Sequence, residues 1–381
     1  MNKKIMSISI IILVIVIVLL YFISSSERKK SGTINIGLML PLTGSVAQWG
    51  TPSQDAARLA VEQINMEMGG VKGRTVKLKL VIEDDQCDPA IGVSAIHKFL
   101  STDKPIAIIG SICSSVVLAV APILEKNEVV LISPGATNPA ISDAGDYIFR
   151  VIPPDDLRGR IFAEYVYSIG HRIVSALYIN NDSGVGNKNA FAKRFEELGG
   201  KIVSEETYSQ DSTDMRSQIT KIKAAKPDGV LVVSYPTDTP LIMRQCEELE
   251  LNLPLFFQTE ALDDPAVIKP AGEAAEGATY ILSATPTGST ADAFRKAFEE
   301  KYGRAPETYA AETFDAVKII AKIIEESDTV SSRALKDGLY KIVNYNGASG
   351  IISFNAKGDV SKPMAIKQIK NGRSVVIKTS D

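Results

Sequence analysis

Apolar residues recur along this chain in two alternating rhythms. Short runs at 34–40, 106–109, 129–132, 173–178, 202–206, 229–233, 255–257 and 277–282 have the length and apolar content of strands. Between them lie longer stretches whose apolar positions return every third or fourth residue, as in amphipathic helices. That period predicts helices over 52–68, 114–127, 156–169, 188–198, 215–225 and 239–249, with three in succession at 291–302, 309–326 and 332–340. At 76–82, Val76, Leu78, Leu80 and Ile82 alternate with Lys77, Lys79 and Val81, which suits a strand with one open face. Punctuation agrees. Gly69-Gly70 stops the first helix, Asp88-Pro89 opens another with aspartate as N-cap, and Asn371-Gly372 favours a tight hairpin after a short strand at 350–354. The alternation runs through two series, the second beginning near residues 150–154. Two series imply an α/β protein with two doubly wound parallel-sheet lobes. Ligands of such sheets bind beyond the carboxyl ends of the strands, and two facing sets of ends make a cleft.

One segment stands outside this rhythm. Residues 10–23 are apolar without a break, and only Ser7 and Ser9 interrupt the stretch back to Ile5. As a helix, 5–23 would span roughly 28 Å, close to the hydrocarbon thickness of a bilayer. Lys3-Lys4 ahead of it also suits a secretory signal, with Ser24-x-Ser26 as a small-residue cleavage site. The length of the run favours a retained membrane anchor; the alternative is a removed signal and a secreted or periplasmic product. Either way the body is exported.

The whole chain has 381 residues, 45% hydrophobic and 23% charged, with net charge −3, a globular profile with room for more than one core. Lys3, Lys4, Arg28, Lys29 and Lys30 face only Glu27 in the first thirty residues, so the body is more acidic than the total suggests. A mildly acidic body without a basic stripe excludes nucleic acid as the partner. No Walker loop is present, and no G-x-G-x-x-G follows a strand. The two histidines, His97 and His171, have no nucleophile or metal-ligand spacing around them, so an enzyme, a metal site and a cofactor are not expected. The acidic loop Glu83-Asp84-Asp85 lacks the spaced oxygens of an EF-hand.

The loops after the strands carry the chemistry. Ser114 and Ser115 open a helix after the strand at 106–109, where free backbone N–H groups and the positive helix end suit a small carboxylate, or where Ser114 simply caps its own helix. Ser133-Pro134-Gly135-Ala136-Thr137-Asn138-Pro139 follows the next strand, its small residues allowing a ligand close to the backbone. In the second series Tyr235 and Glu260 follow the strands at 229–233 and 255–257, and Glu260 suits an ammonium group. Trp49, the single tryptophan, sits in the loop after the first strand and can wall an apolar pocket or cover a core edge. Cys87 and Cys113 lie in two loops that follow strands, placed either to pair, as in an oxidising compartment, or to remain two buried thiols. Cys246, in an amphipathic helix, reads as a buried free thiol. Gly184-Val185-Gly186 reads as a strand-to-helix turn.

Four motifs in order carry a family resemblance: Pro41-Leu42-Thr43-Gly44, Asp84-Asp85-Gln86-Cys87-Asp88-Pro89, Cys113-Ser114-Ser115 and the 133–139 loop. Over residues 33–370 the chain resembles the leucine/isoleucine/valine-binding proteins of ABC importers. The resemblance implies a type I periplasmic-binding fold which, after the anchor and linker read at 1–31, has a first lobe of 32–152 plus 284–348 and a second of 153–283 plus 349–381. Three crossovers near 150–154, 282–286 and 346–350 form the hinge. It implies a Cys87–Cys113 disulfide. It assigns Ser114 and Thr137 to the ligand carboxylate, Gly135 to a backbone contact with the ammonium, and Tyr235 and Glu260 to closure over that ammonium. Trp49 and Tyr309 would line the side-chain pocket, while Ser183 stands where an aromatic is usual. The expected function is an extracytoplasmic, monomeric receptor that captures a branched-chain-type amino acid and docks on a membrane permease. The rival is a sensor for a small amide, urea or short organic acid.

Overall fold

The computed structural model describes residues 32–67, 69–71 and 76–380. Among the described residues no helix is long and apolar enough to cross a membrane, and the apolar run at 5–23 lies outside them. The first sheet comprises β1 (Gly32–Leu40), β2 (Val76–Asp84), β3 (Ala107–Gly110), β4 (Val130–Ser133) and β5 (Ile148–Arg150), all parallel in the order β2-β1-β3-β4-β5. Continuous burial of β3 and β4 matches their unbroken apolar runs, whereas β2 lies at the edge, with Leu78 its one fully buried residue.

The second sheet takes β6 (Ile173–Ile179), β7 (Lys201–Tyr208), β8 (Gly229–Val233), β9 (Leu255–Phe257) and β10 (Thr279–Ser283) as parallel strands. A separate hairpin, β11 (Tyr345–Gly347) and β12 (Gly350–Ile352), precedes β13 (Met364–Lys370) and β14 (Arg373–Thr379), which close the second sheet antiparallel at its edge. The full order is β14-β13-β10-β9-β8-β6-β7. Asn371 and Gly372 both take positive φ in the β13–β14 turn, as the tight hairpin requires. Helices cover both faces. In the second lobe Phe162 meets Phe191 and Phe256 edge to face between helix and sheet. The molecule is thus an α/β protein of two doubly wound parallel-sheet lobes.

Three sequence expectations change. The helix expected from residue 188 starts six residues earlier, spanning Asp182–Glu197, because Asn181 caps it by accepting the Gly184 N–H at 2.9 Å. Gly184-Val185-Gly186 is therefore helix, not turn. Gly186 lies close to the other lobe: a Cβ there would stand 2.6 Å from Asn138 Nδ2, so the Asn138 side chain would have to move. The third crossing also falls later than residues 346–350. Residues 355–359 still lie against β5, where Arg150 N–H donates to Gly358 O at 3.0 Å and Arg150 Nε meets Asp359 at 2.6 Å. The buried Arg150 guanidinium ties this segment to Asn138 O and Ser142 Oγ as well, so the chain enters the second sheet only at β13. Finally, β5, β11 and a short helix at Pro265–Ala271 carry too few residues for a period to register.

Cys87 and Cys113 are joined by a disulfide across 26 residues, with Cα atoms 5.5 Å apart. Cys246 is the free cysteine, buried as expected. Replacing both bridge cysteines by serine is expected to lower unfolding stability by roughly 3.5 kcal/mol on the loop-entropy account. Urea denaturation of the full-length chain checks this; equal midpoints would remove the bridge from the stability argument.

Candidate functional site

Each wall of the cleft is built by the turn that follows a strand. After β4, the Ser133 hydroxyl donates to Ser111 O at 2.6 Å and accepts from Ala136 N at 2.9 Å, so the loops after β3 and β4 are fixed to each other. This brings Gly135 and Thr137 beside Ile112 and Cys113. Gly135 cannot carry a larger side chain without movement: a Cβ would lie 2.8 Å from Ile112 and 3.2 Å from the Tyr309 ring. After β1, the Asp84 carboxylate accepts from Leu42 N at 2.8 Å and from the Thr43 hydroxyl at 2.5 Å. That acidic loop therefore organises the approach to the helix Ala47–Glu62, which bears Trp49 in its first turn.

The second lobe mirrors this construction. Asp238 accepts the Tyr235 N–H at 3.0 Å, and the Thr259 hydroxyl donates to Ser234 O at 2.9 Å, knitting the turns after β8 and β9 together. Asn181 Nδ2 donates to the Tyr235 hydroxyl at 3.1 Å. Burial pushes the Tyr235 phenol up to about 12 and the Asp238 carboxyl up to about 6. Tyr309, from the first lobe, precedes the helix Ala310–Glu326 with φ of 65°, a left-handed backbone that a bulky residue rarely adopts.

The two lobes are in contact. Trp49 meets Tyr235 and Tyr309 edge to face, with centroids 5.6 and 5.4 Å away. Asn138 Nδ2 donates to Asp182 O at 2.5 Å, and Asp182 N to Ser115 Oγ at 3.3 Å. Between them a cavity of about 20 Å³ is walled by Trp49, Gly135, Thr137, Ser183, Tyr235, Glu260 and Tyr309. These are seven of the eight residues singled out from the sequence. Ser114 stands one step back. It opens its helix without capping it, and its hydroxyl accepts the Asn138 N–H at 3.2 Å while Cys113 beside it forms the wall.

Sequence reasoning missed the site's cation. Arg158, 2% exposed, projects from the first turn of the helix Asp155–Ser168 and donates through Nη2 to Glu260. Burial opposes the Arg158 charge, but Glu260 and then Asp155 outweigh it and push its pKa upward. Burial likewise raises Asp155, to about 6, against the opposing pull of Arg158 and a hydrogen bond from Thr137. Burial and the neighbouring Glu260, which accepts the phenol hydrogen bond, hold Tyr309 well above its ordinary pKa. Asn187 and Gln258 also reach the cavity. Gln258 directly follows β9, so the rule that pointed to Glu260 would have found it; Arg158, on a helix, had no such signal. A larger chamber of about 330 Å³ adjoins the site, sharing Glu260 and Tyr309 and opening past Pro286 and Arg295.

In this arrangement polar groups from two lobes converge on one buried space, the geometry of a two-lobed solute receptor. A family model described as periplasmic binding protein matches residues 33–374, and the chain belongs to that family. It is a binding protein and not an enzyme. It is similar to the leucine-, isoleucine-, valine-, threonine- and alanine-binding protein of Pseudomonas aeruginosa, 29% identical over 86% of this chain and 87% of that one. A leucine-binding protein of Thermotoga maritima superposes with a TM-score of 0.84 at 27% identity, covering 91% of this chain and 99% of the other. The branched-chain amino acid transporter substrate-binding protein of Streptococcus pneumoniae, in complex with isoleucine, gives 0.79 at 28% identity over 91% and 99%.

A space of about 20 Å³ holds roughly one water molecule, so a larger solute enters only when the lobes part or the Trp49 ring moves. Binding is therefore expected to change the emission of Trp49, the single tryptophan. A fluorescence titration with leucine reads this directly; an unaltered spectrum at calorimetrically proven saturation would place the ligand away from that ring.

Proposed function

We propose that this protein is the extracytoplasmic receptor of an ABC importer and captures an α-amino acid of the branched-chain type by closing its lobes. The observation that carries the reading is the convergence of loops after β3 and β4 with those after β8 and β9 on one buried cavity. The first lobe offers neutral donors around Ser114 and Thr137 for the α-carboxylate. The second offers Glu260 for the α-ammonium, with Tyr235 over it. Glu260 already receives Arg158 and Tyr309, but a carboxylate has about four acceptor positions, so an ammonium can join them. A zwitterion bridging both lobes favours the shut state by its differential affinity. Charge-assisted hydrogen bonds of roughly 1.5–3 kcal/mol each are enough to shift an equilibrium of a few kcal/mol. Closed and liganded, the receptor docks on its permease as a monomer, and a retained N-terminal anchor keeps it close at high effective concentration.

Glu260→Gln is expected to weaken leucine binding by about 2–5 kcal/mol, the cost of removing one member of a buried charge pair. Calorimetry on the full-length chain in mild detergent checks it. The Arg158 pairing favours one rival, a sensor for a small amide without an ammonium group. Saturable binding of propionamide with no binding of leucine would select that rival.

A further inference from the structure

Three buried polar side chains in the cavity wall are left incompletely bonded by the protein. Gln258 is 1% exposed, and neither its Oε1 nor its Nε2 has a hydrogen-bond partner. Arg158 spends Nη2 on Glu260, while its Nε stands 3.9 Å from Asp155 Oδ1, beyond hydrogen-bond reach. Asn187, 2% exposed, donates through Nδ2 to Asp155 Oδ2 at 2.9 Å and to Ser183 O at 3.0 Å, which fixes its amide orientation and leaves Oδ1 free. Buried polar groups without partners are costly, and their clustering on one cavity marks something they are built to meet. None of the three is needed for the carboxylate or ammonium contacts described above. An aliphatic side chain satisfies none of them.

We propose that the cleft takes a second ligand class besides the aliphatic one: α-amino acids whose side chain ends in a neutral carboxamide, received by Arg158, Gln258 and Asn187. The donor and acceptor inventory selects this group. Arg158 Nε offers a proton to a carbonyl oxygen, Asn187 Oδ1 accepts from an amide nitrogen, and Gln258 can do either. A side-chain carboxylate fits worse. It would face Asn187 Oδ1 with no proton to give, and it would add a third carboxylate to Asp155 and Glu260, which have the single cation Arg158 between them. The inference rests on the amino-acid reading of the site and names a substrate class for it.

The test is competition calorimetry on the full-length chain with leucine, glutamine, asparagine and glutamate, repeated with Gln258→Leu. Glutamine or asparagine is expected to bind within tenfold of leucine or tighter, and glutamate at least a hundredfold more weakly than the amides. Gln258→Leu is expected to shift the glutamine-to-leucine affinity ratio at least tenfold toward leucine. Leucine binding with no amide binding at millimolar concentration overturns the inference and leaves the receptor reading intact. Glutamate equal to glutamine overturns the choice of a neutral group, and an unchanged ratio in Gln258→Leu overturns the assignment of that residue. Failure of every amino acid to bind overturns the receptor reading itself. The wild-type comparison stands alone if the variant does not fold.

Discussion

A carboxylate taken out of water must be paired, hydrogen-bonded or neutralised, and Glu260 at 7% exposure is such a carboxylate. Its position at the end of β9, facing the first lobe, makes the interior of the cleft electrostatically demanding. In this structure Arg158 meets the demand from within the same lobe, and Tyr309 adds a hydrogen bond from the other. Asp155, wholly buried beneath Arg158, extends the charge network to the hinge-side loop through Thr137. The pair thus prepares a site that can hold an ammonium without itself becoming an unpaired charge when the ligand leaves. Removing one member would be far more damaging than replacing both, because the survivor would be stranded.

Opposite this charged wall lies a neutral one. The turns after β3 and β4 are fastened to each other through Ser133 and Ser111, and present backbone and hydroxyl groups with no formal charge. That asymmetry is what a dipolar solute requires: its carboxylate meets donors, its ammonium meets an acidic acceptor, and neither half of the molecule binds it fully alone. The aromatic contact of Trp49 with Tyr235 spans the same divide, so ligand entry and lobe separation are mechanically linked.

Much of this was legible in the residues, for identifiable reasons. Buried parallel strands such as β8 have continuous apolar runs, and the turn following each is placed by topology, so Tyr235 and Glu260 could be located without coordinates. Asp88 capped its helix as its type and position require. What escaped had no local periodicity. The three residues of β5 register only through partners 17 residues earlier in β4. The early start of the helix Asp182–Glu197 rests on the Asn181 side chain accepting the Gly184 N–H, a cap hidden by a glycine-rich, turn-like composition. Arg158 was hidden most thoroughly, since an arginine in the exposed-looking first turn of a helix gives no hint that both of its partners are buried. Ser114 was the reverse case: helix-start chemistry pointed outward to a ligand, yet its hydroxyl is turned to the Asn138 amide.

The account claims that one small solute touches both lobes at once. A crystal structure of the purified protein grown with saturating leucine tests that claim most directly. The account predicts electron density for the ligand between Thr137 and Glu260, with its carboxylate toward the 112–114 and 135–137 loops and its ammonium within hydrogen-bond distance of Glu260. Density confined to the outer chamber near Pro286 and Arg295, or a ligand contacting residues of one lobe alone, would contradict it.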